Sequence, residues 1–126
     1  IIIFGVPGAF TSTCSAKHLP SYVNNYKEIF SLGISDIICV SVNDPFVMHA
    51  WGEFNNANEH IKMMSDIGGY LARKMGIESD FGPNLLMRMK RFAMIVKNNE
   101  IKEFIIDEKG SYGKTSGENI VSLLKR

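Results

Sequence analysis

The chain has 126 residues, with fourteen basic side chains against thirteen acidic ones and a net charge of +1. That balance gives no broad electrostatic field for nucleic acid or an anionic membrane surface. Hydrophobic residues make up 45% and charged residues 21%, which supports a packed core, argues against disorder, and suits a single domain over residues 1–126. No apolar run approaches the ~20 residues needed to span a bilayer.

In chain order, residues 1–6 (IIIFGV) form a continuous apolar run of the buried-strand type. Pro7, Gly8 and Ala9 break it. A helix is predicted over about residues 12–32, with Leu19, Tyr22, Val23, Tyr26, Ile29 and Phe30 at helical spacing. Gly33 is its natural stop, and Pro20 should kink it. Residues 37–42 (IICVSV) read as a second buried strand. Asn43 or Asp44 can cap the next helix, which carries Phe46, Val47, Ala50, Trp51 and Phe54. A short strand over 61–64, a helical piece over 70–75 and a loop over 80–84 follow. Residues 91–96 and 101–106 then make a hairpin around Asn98 and Asn99, which tolerate positive φ. A helix over 116–124 closes the chain. Strands joined by helices, followed by a hairpin and a helix, predict an α/β thioredoxin-like fold: a central mixed β-sheet flanked by helices.

The informative stretch is Pro7-Gly8-Ala9-Phe10-Thr11-Ser12-Thr13-Cys14. It places Cys14 in the first turn of a helix, with Thr11 near the N-cap. Unpaired N–H groups and the positive end of the helix dipole favour a thiolate there. Thr11 and Cys14 share one face, so the Thr11 hydroxyl can donate to the thiolate or accept from a bound peroxide. The Pro7 ring can shield the sulfur from water. Spacing alone leaves the alternative open that Cys14 is a small inert core residue and Thr11 an ordinary cap. A thioredoxin-type CxxC is absent, because Thr11 and Lys17 stand three positions either side of Cys14.

FGVPGAFTSTCSAKHLP resembles the active-site segment of the peroxiredoxins, and more narrowly of their type-five, atypical branch. The family pattern is Pro, three residues, Thr, two residues, Cys, which Pro7, Thr11 and Cys14 match. The likeness continues through SVNDPFVMHAW (41–51) and KRFAMIV (90–96). The resemblance implies a thiol-dependent peroxidase acting on hydrogen peroxide and organic hydroperoxides, peroxynitrite among the candidate oxidants. Cys14 would be the peroxidatic cysteine and Thr11 a hydrogen-bond partner of the peroxide. Pro7 would be the shield, and Arg91 the cation that lowers the thiol pKa and steadies the departing oxygen. Without the resemblance, Arg91 reads as a surface strand residue, and the run Arg88-Met89-Lys90-Arg91 as a solvated turn or strand end. Arg88 is left out of the catalytic set.

Cys39 lies in the second apolar strand and reads as a small core residue. Some type-five members carry a resolving cysteine before the last helix; Tyr112-Gly113-Lys114-Thr115-Ser116 has none. A one-cysteine cycle with an external thiol is therefore expected, served by glutathione with glutaredoxin or by thioredoxin. His18, four residues after Cys14, is a packed histidine or a base for the thiol. His49 and His60 give no metal-ligand spacing with the cysteines, and no nucleotide-binding glycine motif occurs, so no metal or cofactor is implied. Met87, Met89 and Met94 read as core and loop packing. Two cysteines suit an intracellular compartment, cytoplasmic or organellar. The chain opens in a strand without an initiator Met, so a leading segment, with any targeting signal, is expected to be missing from view. Family members often dimerise; Phe46, Trp51 and Phe81 suit an interface or equally the core. The alternative is a thioredoxin-fold binding or holdase module without catalysis. A glutaredoxin-like reductase is disfavoured by the missing CxxC.

Overall fold

The computed structural model of the protein describes residues 1–13, 17–108 and 111–126. Among the described residues the main sheet has five strands: β1 (Ile2–Gly5), β2 (Ile37–Ser41), β3 (Lys62–Ser65), β6 (Arg91–Lys97) and β7 (Glu100–Asp107), in the spatial order β3-β2-β1-β6-β7. β1 pairs in parallel with β2 and β2 with β3, whereas β6 runs antiparallel to both β1 and β7. This is the mixed sheet that the sequence predicted. The β6–β7 turn falls at Asn98 and Asn99, whose φ values of +52° and +64° are the left-handed conformations asparagine tolerates.

The helices are α1 (Leu19–Ser31), α2 (Pro45–Phe54), α3 (Tyr70–Met75) and α4 (Gly117–Leu124). Alternation along β1 and β6 sorts side chains onto two faces. Ile2, Phe4, Ala93 and Ile95 meet α1, α2 and α4 in one core through Leu19, Tyr22, Ile29, Met48, Trp51 and Ile120. Phe92, Met94 and Val40 pack on the other face against Ala72, Ile77 and Met89. Phe4 and Tyr22 stack with ring centroids 3.8 Å apart. Each fully buried large apolar side chain contributes about 1.5–3 kcal/mol. Asp44 caps α2, its carboxylate accepting from the Val47 N–H at 2.8 Å, and Ser116 caps α4 in the same way through Asn119.

Two expectations are corrected. The stretch over 12–32 is not one regular helix: Ser12 and Thr13 are helical, Lys17 and His18 form a π-type turn, and α1 runs from Leu19. Pro20 lies in the first turn of α1, where its missing N–H costs least, so the irregularity precedes the proline. Asp80, expected in a loop, ends a short strand β4 (Glu78–Asp80) paired antiparallel with β5 (Met87–Met89). Three-residue strands with mixed polarity carry no readable period. Trp51 is fully buried and belongs to the core, whereas Phe46 is 85% exposed.

Candidate active site

β1 delivers the chain to the site at Pro7. The Pro7 carbonyl accepts from Arg88 Nη1 at 3.0 Å, while Arg88 Nε donates to the Leu85 carbonyl at 2.9 Å. The guanidinium packs so closely on Gly8 that a Cβ there would meet Nη1, and Arg88 would have to shift to admit one. The Ala9 N–H donates to Asn43 Oδ1 at 2.8 Å, and the same oxygen accepts from Ser41 Oγ at 2.8 Å. The Asn43 carbonyl accepts from Ser65 Oγ at 2.6 Å. This bracing holds Phe10 at φ +61°, a left-handed conformation unusual for a bulky residue. Thr11 then turns the chain into the helical Ser12 and Thr13. Its hydroxyl donates to the Gly8 carbonyl at 2.6 Å, so its oxygen keeps lone pairs that can accept an O–H.

Arg91, the first residue of β6, is buried, with 8% exposure. Its Nη1 donates to His18 Nδ1 at 2.8 Å, and its guanidinium carbon lies 5.7 Å from the centre of the Tyr112 ring. Pro7 and Arg91 line one cleft of about 290 Å³, together with Thr13, Lys17, Lys90 and Tyr112. Cys14 lies outside the described residues; Thr13 and Lys17, which flank the undescribed stretch that contains it, both line that cleft. The basic run is therefore not a solvated strand end throughout. Arg91 is buried and Arg88 braces the Pro7 loop, while Lys90 reaches Glu108 at 3.3 Å.

His18 is fully buried. Arginine is always a donor, so Nδ1 is the acceptor and the ring proton sits on Nε2. Nε2 donates to the Thr115 carbonyl at 3.1 Å. Burial, reinforced by the Arg91 charge, lowers the His18 pKa to about 3. With both nitrogens engaged and the ring neutral, His18 is a packed histidine rather than a base for the thiol. The Thr115 carbonyl also accepts from the Tyr22 hydroxyl at 2.7 Å. Thr115 is held in turn by Asp107, whose Oδ2 accepts from the Thr115 N–H at 3.0 Å and from its hydroxyl at 2.7 Å. The Gly113 and Lys114 N–H groups, each at 3.1 Å, complete the clasp. Burial alone would push the Asp107 carboxyl up, but the bonds from Thr115, Gly113 and Lys114 outweigh it and hold the pKa below its ordinary value.

Sequence reasoning did not single out Asn43 as a brace, Arg88 as a buttress, or Asp107 and Thr115 as partners of His18. Only Asn43 carried a signal, as a capping residue at the end of an apolar strand.

The chain matches the Redoxin family over residues 1–118. It is similar to Peroxiredoxin-2D of Arabidopsis thaliana, with 41% identity over 125 residues, 98% of this chain and 77% of the relative. The chain belongs to the peroxiredoxins. A second similar peroxiredoxin is the mitochondrial Peroxiredoxin-2F of Oryza sativa, 36% identical over 96% of this chain and 62% of the relative. Reduced Prx3 from Vibrio vulnificus in complex with H2O2 superposes with a TM-score of 0.95 at 37% identity, covering 98% of this chain and 77% of that one. This peroxiredoxin is a thiol-dependent peroxidase with the thioredoxin-like fold, acting on a hydroperoxide with a thiol reductant, and the non-catalytic binding module is not favoured. The relatives are compatible with a cytoplasmic or organellar setting, and no helix among the described residues is long and apolar enough to cross a membrane.

Proposed function

We propose that Cys14 is the peroxidatic cysteine of a one-cysteine cycle, with Thr11, Pro7 and Arg91 as its working neighbours. The observation that carries this reading is the buried Arg91 guanidinium, held by a neutral His18 on the wall of the cleft that Thr13 and Lys17 also line. A fixed cation beside a thiol favours the thiolate and the charge that develops on the departing oxygen. The Cys14 sulfur attacks one peroxide oxygen, forming an S–O bond as the O–O bond breaks. The other oxygen leaves as hydroxide or alkoxide and takes up the proton that the thiol released on ionising, giving water or an alcohol, and the sulfur becomes a sulfenic acid. Thr11 Oγ1, already donating to Gly8, accepts the peroxide O–H. Pro7 shields the sulfenic acid.

One external thiol then condenses with the sulfenic acid, releasing water and leaving a mixed disulfide. A second thiol frees Cys14 and carries away the disulfide. Glutathione with glutaredoxin, or thioredoxin, fits this role. Cys39 is buried in the core of β2, which supports a packing role for it. The whole chain acts as one thioredoxin-like domain, in the cytoplasm or an organelle, and pairs as a homodimer through the aromatic face near α2.

A peroxidase assay coupled first to glutathione and glutaredoxin and then to thioredoxin tests the cycle. Cys14→Ser should abolish turnover with both reductants, while Cys39→Ser should retain it. Loss of turnover in folded Cys39→Ser would overturn the one-cysteine assignment, and retention in Cys14→Ser the peroxidatic one.

A further inference from the structure

We propose that Asp107 and Thr115 are positioning residues of the peroxidase centre, fixing the His18 proton on Nε2 so that Nδ1 stays turned to Arg91 as an acceptor. The inference rests on the reading that Arg91 acts on the Cys14 sulfur.

A neutral imidazole has two tautomers, and a hydrogen bond to one nitrogen selects between them. With the proton on Nδ1, a buried N–H would face Arg91 Nη1 and the 2.8 Å bond between them would be lost. The Thr115 carbonyl prevents this by taking the Nε2 proton at 3.1 Å. That carbonyl sits in a non-helical segment just before α4, where nothing in regular secondary structure fixes it. The Asp107 carboxylate does so: it binds the N–H groups of three consecutive residues, Gly113, Lys114 and Thr115, and the Thr115 hydroxyl. Tyr22, from α1, fills the other lone pair of the carbonyl. Asp107 and Arg91 are cross-strand partners in the β6–β7 ladder. One strand pair thus anchors both ends of a chain of contacts running Asp107, Thr115, His18, Arg91. Among the described residues, the charged and titratable groups facing His18 are Arg91 from β6, Asp107 from β7, Tyr22 from α1 and Tyr112 from the segment before α4.

The test compares Asp107→Asn, Thr115→Val and Thr115→Ser with wild type. Three readouts apply: the ¹³C and ¹⁵N shifts of the His18 ring, the pH midpoint of alkylation at Cys14 located by mass spectrometry, and kcat/KM for hydrogen peroxide. Wild type and Thr115→Ser should show the Nε2–H tautomer alone. Asp107→Asn and Thr115→Val should show a tautomer mixture, a higher alkylation midpoint and a kcat/KM lower by about ten- to a hundred-fold, because a displaced group loses its orientation. Should Asp107→Asn fail to fold, Thr115→Val decides, since it exchanges the hydroxyl for a methyl and keeps the Asp107 charge. A single Nε2–H tautomer in the folded variant, with alkylation midpoint and kcat/KM within about two-fold of wild type, would overturn the inference. Arg91→Gln separates the two levels: if it too leaves the alkylation midpoint and kcat/KM unchanged, the role of Arg91 itself is wrong; if it is impaired, only the positioning role is lost.

Discussion

At His18, burial and the Arg91 charge keep the imidazole neutral far below the pH at which a free histidine titrates. The consequence for stability has a definite sign. The folded-state pKa of about 3 lies below the unfolded value of 6.5, so the unfolded chain binds the proton more readily as pH falls. The stability contributed by the neutral ring is complete above pH 6.5 and is lost as pH drops toward 3. The Asp107 carboxylate adds a further loss below its ordinary pKa of 3.8. Urea midpoints measured from pH 7 to 4 should therefore fall in wild type and fall less steeply in His18→Asn. Parallel slopes would show that His18 is not the group responsible. None of this was legible from residue 18 alone. Its partners Arg91 and Thr115 lie 73 and 97 residues away, and a lone histidine on a helix face carries no sign of them. Arg91 likewise reads as a surface strand residue until its motif is recognised.

Among the elements, β1, β2 and β6 were readable because buried strands leave apolar runs, and the largely exposed β7 because the Asn98–Asn99 turn marks the hairpin. The β4–β5 pair and the π-type turn at Lys17 and His18 were not: the first is too short for a period, and the second spans too few residues to leave a pattern. Contact between α1 and α4 was equally invisible, although a glycine sits at its closest approach. A Cβ at Gly117 would lie 2.5 Å from the Ser21 carbonyl oxygen, and the Gly117 N–H donates to Ser21 Oγ at 2.9 Å. Gly117→Ala should therefore push the helices apart and cost about 1–3 kcal/mol, the usual range for overpacking. Thermal unfolding checks this, and an unchanged Tm would mean that the helix pair yields without cost.

On the scale of the whole molecule, the two edges of the sheet are β3 and β7, while α2 leaves an aromatic face uncovered. Phe46 is 85% exposed, Phe54 76% and Phe10 52%, with the Phe10 and Phe54 rings 5.9 Å apart. These exposed rings are the basis of the homodimer proposed above. Phe46→Asp should shift sedimentation toward the monomer without altering the far-ultraviolet spectrum; an unchanged sedimentation coefficient would remove this face from the assembly. The centre of the sheet has a different consequence. Phe4 and Gly5 of β1 are paired with β2 on one side and β6 on the other, so the chain emerges toward Pro7 from a post clamped on both flanks. Beyond it, the Ala9 and Thr11 amides are tied to Asn43 and to Gly8. The root of the loop is thus fixed from two directions, by the paired flanks of β1 and by the amide bonds beyond Pro7, so the proline and the sheet behind it form one frame.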